Sequence, residues 1–137
     1  MAQQVSTRRI PLPEPSPLSE PFWAGVREHS LLIQRCANCG HWEWTPQVVC
    51  SQDLTYTLVW TPVSGLGAVY SYSILHRPQS PAFEVPYVVA MVELDEGPRL
   101  MTNIVGIPPE DVRIDMRVKV GYEDFEGFSI FNFSPVG

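Results

Sequence analysis

Cys36, Cys39 and Cys50 are the only three cysteines in the chain, and all fall within fifteen residues. Cys36-Ala37-Asn38-Cys39-Gly40 has the spacing of a metal knuckle. Two thiolates converge on one ion, and the glycine allows a positive φ that turns backbone amides toward sulfur. Zinc takes four ligands in a closed structural site, normally from two such knuckles. A second knuckle opens at Cys50, but Asp53 stands where its second thiol belongs. A carboxylate can ligate zinc, although it is harder than a thiolate and suits a soft site less well. His41, next to the first knuckle, is another candidate fourth ligand. Two states stay open on spacing alone. In one, zinc is held by Cys36, Cys39, Cys50 and Asp53. In the other, a metal-free relic keeps reduced thiols as small apolar groups among Trp42 and Trp44. Rubredoxin-type electron transfer needs four thiolates and is disfavoured, and an odd, clustered cysteine count does not suit a disulfide framework.

A search for catalytic groups is mostly negative. His29, His41 and His76 are scattered, and the chain has no nucleophile elbow, metalloprotease helix, phosphate loop or dinucleotide fingerprint. Cys50 as a lone nucleophile is weaker than Cys50 as a ligand. The acid pairs Asp95-Glu96, Glu110-Asp111 and Glu123-Asp124 fall at expected turns, where solvated charge is ordinary. The most function-like stretch runs from His76-Arg77 through Phe83 to Tyr87. It gathers an imidazole, a cation and two aromatics on one loop, where Arg77 can meet a phosphate or carboxylate or simply pair with Glu84.

These groups must be positioned by a mostly β chain. Pro11, Pro13, Pro15 and Pro17 hold residues 1–18 extended, as a tail or as an arm around a partner. Ser19-Glu20-Pro21 is a helix start, and Phe22, Trp23 and Val26 share one face of an expected helix over 20–29. That face either packs on its own domain or offers Phe22 and Trp23 to a partner. A strand over 31–35 feeds the first knuckle. From residue 55 onward, alternating apolar runs predict strands at 56–61, 67–77, 86–94, 99–105, 116–122 and 128–133. Ser64–Gly67 and Asp95–Pro98 are expected turns, and Pro108–Asp111 a turn or one-turn helix. Five or six strands in about eighty residues, with no second long helix, predict a closed OB-type barrel. The expected division is an arm at 1–18, a helix with a zinc-ribbon-like module at 19–54, and a barrel at 55–137.

Charge narrows the partners. The net charge of −6 lies wholly in residues 81–137, which carry ten acids and four bases. Lys119 is the only lysine, so a nucleic-acid backbone is a poor partner even for an OB barrel. No apolar run approaches the roughly 18 residues of a membrane span, and the N-terminus lacks the apolar stretch of a secretory signal. The expected address is the cytoplasm.

Several short motifs share a distinctive order: Pro21-Phe22-Trp23, Arg35-Cys36-x-x-Cys39-Gly40, Pro46, Cys50, Ser64-Gly65-x-Gly67-x-Val69-Tyr70, His76-Arg77-Pro78, Pro86-Tyr87-Val88-Val89, Val92-x-Leu94-x-x-Gly97-Pro98 and Val118-x-Val120. Over about residues 20 to 134 the chain resembles the acyl-CoA-associated OB-fold family. The resemblance implies an N-terminal helix, a rubredoxin-like zinc ribbon and a C-terminal OB barrel. It also implies a helper rather than an enzyme: a subunit that joins a thiolase-fold partner in a heterotetramer or similar assembly. There its OB surface helps form or cover an acyl-CoA site while the partner supplies the catalytic groups. Phe22, Trp23, His76, Arg77, Phe83 and Tyr87 are the residues expected to face partner or acyl-CoA.

The favoured partner is a lipid-transfer-protein-like aldolase that cleaves a steroid side-chain β-hydroxyacyl-CoA by a retro-aldol step. An acetoacetyl-CoA thiolase or a hydratase is the alternative, and a free acyl-CoA-binding module a further one. A single-strand binder and a stand-alone enzyme are the least supported. Two departures from the family stand out. Asp53 replaces a cysteine, which favours a metal-free scaffold over an ion-dependent one. Asp115 replaces a glycine before Met116, at a turn where Asp tolerates left-handed angles.

Overall fold

The computed structural model describes residues 15–77 and 85–136. The expected arm up to residue 14, Phe83 and the Arg77–Glu84 pairing lie outside those residues. Helix α1 spans Glu20–Arg27, with Pro21 in its first turn. The Ser19 side chain does not cap the helix. Its hydroxyl instead accepts from the Ser16 amide at 2.9 Å. The helix stops two residues before its expected end because His29 takes a left-handed φ of 58°. Gly25 lets the helix lie against the next segment, since a Cβ there would sit 2.7 Å from the Ser30 carbonyl oxygen.

Two sheets follow. Strands β1 (Leu32–Cys36), β2 (Trp42–Glu43) and β3 (Leu58–Pro62) form a three-stranded antiparallel sheet in the order β2-β1-β3. Strands β4 (Leu66–Leu75), β5 (Tyr87–Leu94), β6 (Arg99–Ile104), β7 (Arg117–Phe125) and β8 (Phe128–Pro135) close a barrel in the order β4-β5-β6-β8-β7. The expected mainly β architecture is therefore present, with five barrel strands. One strand changes sides: β3 pairs with β1 from Leu32↔Pro62 to Cys36↔Leu58. The ribbon's sheet thus runs to Pro62, beyond the boundary expected after residue 54.

Of the expected turns, Asp95–Pro98 and Pro108–Asp111 are present, whereas Leu66 and Gly67 of Ser64–Gly67 already belong to β4. Gly97 donates to the Leu94 carbonyl at 2.8 Å and closes the β5–β6 hairpin. Pro109–Asp111 is a single 3-10 turn. Asp115 adopts φ 66°, as expected of an Asp in a glycine's place. The β7–β8 hairpin turns on Glu126-Gly127 with Gly127 at φ 86°, so both strands run longer than periodicity suggested. Strand β4 meets β7 only from Leu66 to Ala68, and a register shift follows between Val69 and Ser71. Beyond it, the ladder of β4 among the described residues is to β5 alone.

One continuous apolar core ties these parts together. Phe22 and Val26 of the helix and Leu31 and Ile33 of the ribbon share it with Val69, Val92, Leu100, Val118 and Phe133 of the barrel. Phe22 is 2% exposed and sits 4.9 Å from the Trp44 ring and 5.5 Å from Phe131, centroid to centroid. The expectation that Phe22 faces a partner is therefore corrected: it faces its own core. Trp23 is half-buried, edge-on to Phe22 at 5.2 Å. Among the described residues, no helix is long and apolar enough to cross a membrane.

Candidate metal centre

The paired strands β1 and β3 bring the two knuckles face to face. The first is closed by the Gly40 amide on the Cys36 carbonyl at 2.9 Å, with Gly40 at φ 79°. The second closes the same way, the Leu54 amide reaching the Cys50 carbonyl at 2.9 Å. Leu54 holds a left-handed φ of 61° with no glycine to ease it, and its side chain is 74% exposed. The four ligand atoms of Cys36, Cys39, Cys50 and Asp53 lie within 4.8 Å of one another. The predicted set is thus assembled. His41 is not in it: its Nε2 is 3.3 Å from Glu43 Oε2, which leaves its backbone as its link to the knuckle. That corrects its candidacy as a fourth ligand.

The donor geometry suits zinc. With tetrahedral angles and ordinary zinc–sulfur and zinc–oxygen bonds, donor atoms should stand about 3.6–3.8 Å apart. Cys39 Sγ and Cys50 Sγ are 3.6 Å apart, and Cys36 Sγ is 3.5 Å from Asp53 Oδ2. All three thiols are free rather than bridged. The donors are mostly soft, as zinc prefers, with one hard oxygen.

A polar shell surrounds the ligands. Asp53 Oδ2 accepts from Asn38 Nδ2 at 2.9 Å, and Oδ1 from the Thr55 amide at 3.1 Å and the Thr55 hydroxyl at 2.7 Å. The Thr57 hydroxyl lies 2.6 Å from that of Thr55 and 3.2 Å from Cys36 Sγ. The Thr55 hydroxyl hydrogen goes to Asp53, and the Thr57 hydroxyl has one hydrogen for two neighbours, Thr55 and Cys36 Sγ.

Ionisation follows from these partners. The Thr57 hydroxyl, with the Cys39 amide behind it, lowers the Cys36 thiol to about 6 despite burial. For Cys39 the His41 amide favours the thiolate, but burial and the neighbouring Cys36, Cys50 and Asp53 push it up to about 12. The Thr55 hydroxyl and then the Asn38 amide hold Asp53 well below the usual carboxylate range. Ligation requires deprotonated thiols, so an ion here displaces the protons that the thiols carry.

Asn38, Thr55 and Thr57 were missed by sequence reasoning, although Asp53-x-Thr55 is a recognisable Asx-turn signal. Two buried polar residues were missed as well. Gln34 exchanges two hydrogen bonds with the Gln47 backbone, at 2.9 and 2.8 Å. Glu43 accepts from the Ser51 amide at 2.7 Å and the Ser51 hydroxyl at 3.0 Å.

The expected partner-facing residues are dispersed. His76 and Arg77 are exposed just past the end of β4, Tyr87 is half-buried at the start of β5, and Trp23 lies on the helix. His29, which the sequence left unassigned, has its Nε2 at 2.9 and 3.0 Å from the two oxygens of Asp124 and stacks on Tyr122 at 4.6 Å. Ser129 donates to the same carboxylate at 2.6 Å. The serine contacts Asp124 and is buried, so these three residues form a clamp between helix and barrel, not a nucleophile–base relay.

Two family models match this arrangement. The ChsH2 rubredoxin-like zinc ribbon domain covers residues 23–54, and the ChsH2 C-terminal OB-fold domain covers residues 60–123. A DUF35 domain-containing scaffold protein of Methanocaldococcus jannaschii is 38% identical over 100 residues, 71% of each chain. The chain belongs to the DUF35 family. Within it, a chain of the solved Ltp2-ChsH2(DUF35) aldolase superposes with a TM-score of 0.85 at 36% identity, covering 90% of this chain and 98% of that one. A DUF35 protein of Sulfolobus solfataricus, 15% identical with a TM-score of 0.64, shares the fold.

Longer relatives exist as well. The 3-oxo-4,17-pregnadiene-20-carboxyl-CoA hydratase alpha subunit of Mycobacterium tuberculosis is 38% identical over 83% of this chain but 36% of its own length. For a probable enoyl-CoA hydratase alpha subunit of Thermomonospora curvata the figures are 45%, 71% and 31%. The chain spans about a third of these two relatives.

Proposed function

We propose that this DUF35 chain is a non-catalytic accessory subunit that completes an acyl-CoA enzyme of the thiolase fold. The favoured partner is an aldolase of the Ltp2 kind acting on a steroid side-chain β-hydroxyacyl-CoA. The observation that carries this reading is the likeness to the DUF35 chain of the Ltp2-ChsH2(DUF35) aldolase, which spans nearly the whole of both chains. The chemistry agrees. Retro-aldol cleavage needs a base for the hydroxyl proton and a stabiliser for the enolate left on the thioester after the C–C bond breaks. Among the described residues, His29 and His41 are each bound to a carboxylate, and no nucleophile lies beside a free base. The partner supplies those groups. This chain supplies surface: Trp23, His76, Arg77, Phe83 and Tyr87 remain the proposed contact set, with Arg77 suited to a phosphate or carboxylate. The assembly is a cytoplasmic heterotetramer or similar hetero-oligomer.

Co-expression with a thiolase-like gene product encoded beside it should give one peak in size-exclusion chromatography with acyl-CoA lyase activity. Two separate peaks, with the partner fully active alone, would reject the reading. The hydratase alternative draws support from the 45% identity to part of a hydratase alpha subunit. Assaying the purified complex for enoyl-CoA hydration as well as C–C cleavage separates the two. Calorimetry of the isolated chain with a short acyl-CoA tests the free binding module.

A further inference from the structure

We infer that the ribbon is a working three-thiolate, one-carboxylate zinc site, in which Asp53 is a built ligand oriented by Asn38 and Thr55. This inference is independent of the scaffold reading and goes beyond the zinc-ribbon likeness, whose two-knuckle pattern is broken at Asp53.

Three observations carry it. Two opposite donor edges, 3.6 Å for Cys39–Cys50 and 3.5 Å for Cys36–Asp53, have about the length that a tetrahedral zinc ion requires, and all four donor atoms lie within 4.8 Å of one another. The carboxylate is also fixed in the manner of a ligand rather than a surface acid. Oδ1 is occupied by both donors of Thr55, whereas Oδ2 receives Asn38 Nδ2 and, at 3.5 Å, the Cys36 thiol. A carboxylate oxygen accepts about two hydrogen bonds, and the thiol proton on Oδ2 leaves when Cys36 ligates as thiolate, which frees one lone pair for the ion. Oδ2 is also the oxygen nearer Cys36 Sγ, at 3.5 Å against 3.8 Å for Oδ1. Partners of this kind orient ligands, and losing one typically costs about 10–100-fold in metal affinity. Finally, the site has an entry path. Cys36 and Cys39 border a shallow depression of about 600 Å³, and Cys39 is exposed.

The hard oxygen should make the ion easier to remove than from four thiolates. The experiment uses the full chain, Zn²⁺ competition against a chromophoric chelator, and Co²⁺ as a spectroscopic substitute. The expected result is one Zn²⁺ per chain and a tetrahedral Co²⁺ spectrum with three thiolate charge-transfer contributions. Asp53→Cys should raise that charge-transfer intensity by about a third and tighten Zn²⁺ binding. Asn38→Ala and Thr55→Val should weaken binding about 10–100-fold while leaving the thiolate bands in place. Asp53→Asn keeps the side chain's size and should weaken binding at least as much. Circular dichroism verifies that each variant is folded. No Zn²⁺ uptake by the folded chain would overturn the inference, as would an unchanged affinity and Co²⁺ spectrum in folded Asp53→Asn.

Discussion

Thr102 sits on the barrel's inner wall at 7% exposure, and its hydroxyl oxygen has no hydrogen-bond partner among the described residues. An unsatisfied buried hydroxyl costs about 1–3 kcal/mol, so Thr102→Val, which keeps the shape, should raise stability by about 1 kcal/mol in urea unfolding. Phe22 gives the opposite expectation. Truncating an aromatic that is 2% exposed and ringed by Trp44 and Phe131 should cost about 3–5 kcal/mol in Phe22→Ala. That loss belongs to the isolated chain and should appear in thermal unfolding with no partner present. The sequence showed that Phe22 lies on an apolar helical face. It did not show what covers that face, because Trp44 and Phe131 come from distant parts of the chain. Asn38, Thr55 and Thr57 were illegible for a related reason: short polar residues at turns look like turn formers until the fold aims them at a carboxylate and a thiol. The four candidate ligands themselves were legible, because ligand spacing is local.

Strands were easier to read than their allegiances. Alternation located every barrel strand within a few residues, yet nothing local told β3 to pair with β1. Close approach constrains the elements too. A Cβ on Gly67 would collide with the Glu93 carbonyl oxygen and lie 2.9 Å from Val92 Cγ1. Gly67→Ala should therefore pry β4 from β5, destabilise the barrel by about 1–3 kcal/mol and expose to exchange the Asp95 amide, which donates to the Leu66 carbonyl at 2.9 Å.

The links between elements are acid-sensitive. Ser129 and then His29 hold Asp124 below the usual carboxylate range, and Arg117 does the same for Asp95 through contacts of 2.8 Å. At Glu43 burial opposes ionisation, but the Ser51 donors and His41 outweigh it. Because the folded-state pKa values are depressed, the stabilisation is complete above the unfolded carboxylate range of about 4. It is lost as pH falls through the folded values. Urea midpoints should therefore be flat from about pH 7 to 5 and drop below about pH 4. The drop should be smaller in Asp124→Asn.

At the scale of the whole molecule, helix, ribbon and barrel share one interior. Splitting the chain between Pro62 and Leu66 would strip Phe22, Val26 and Ile33 from Val69 and Phe133 and leave both fragments with bare apolar faces. Inheritance should therefore treat the unit as indivisible: recombination joints that keep it alive belong outside roughly residues 20–135, at the edges of the shared interior. Grafted whole onto a larger polypeptide it brings its own packing, which is why a contiguous third of a longer chain can match it from ribbon to barrel.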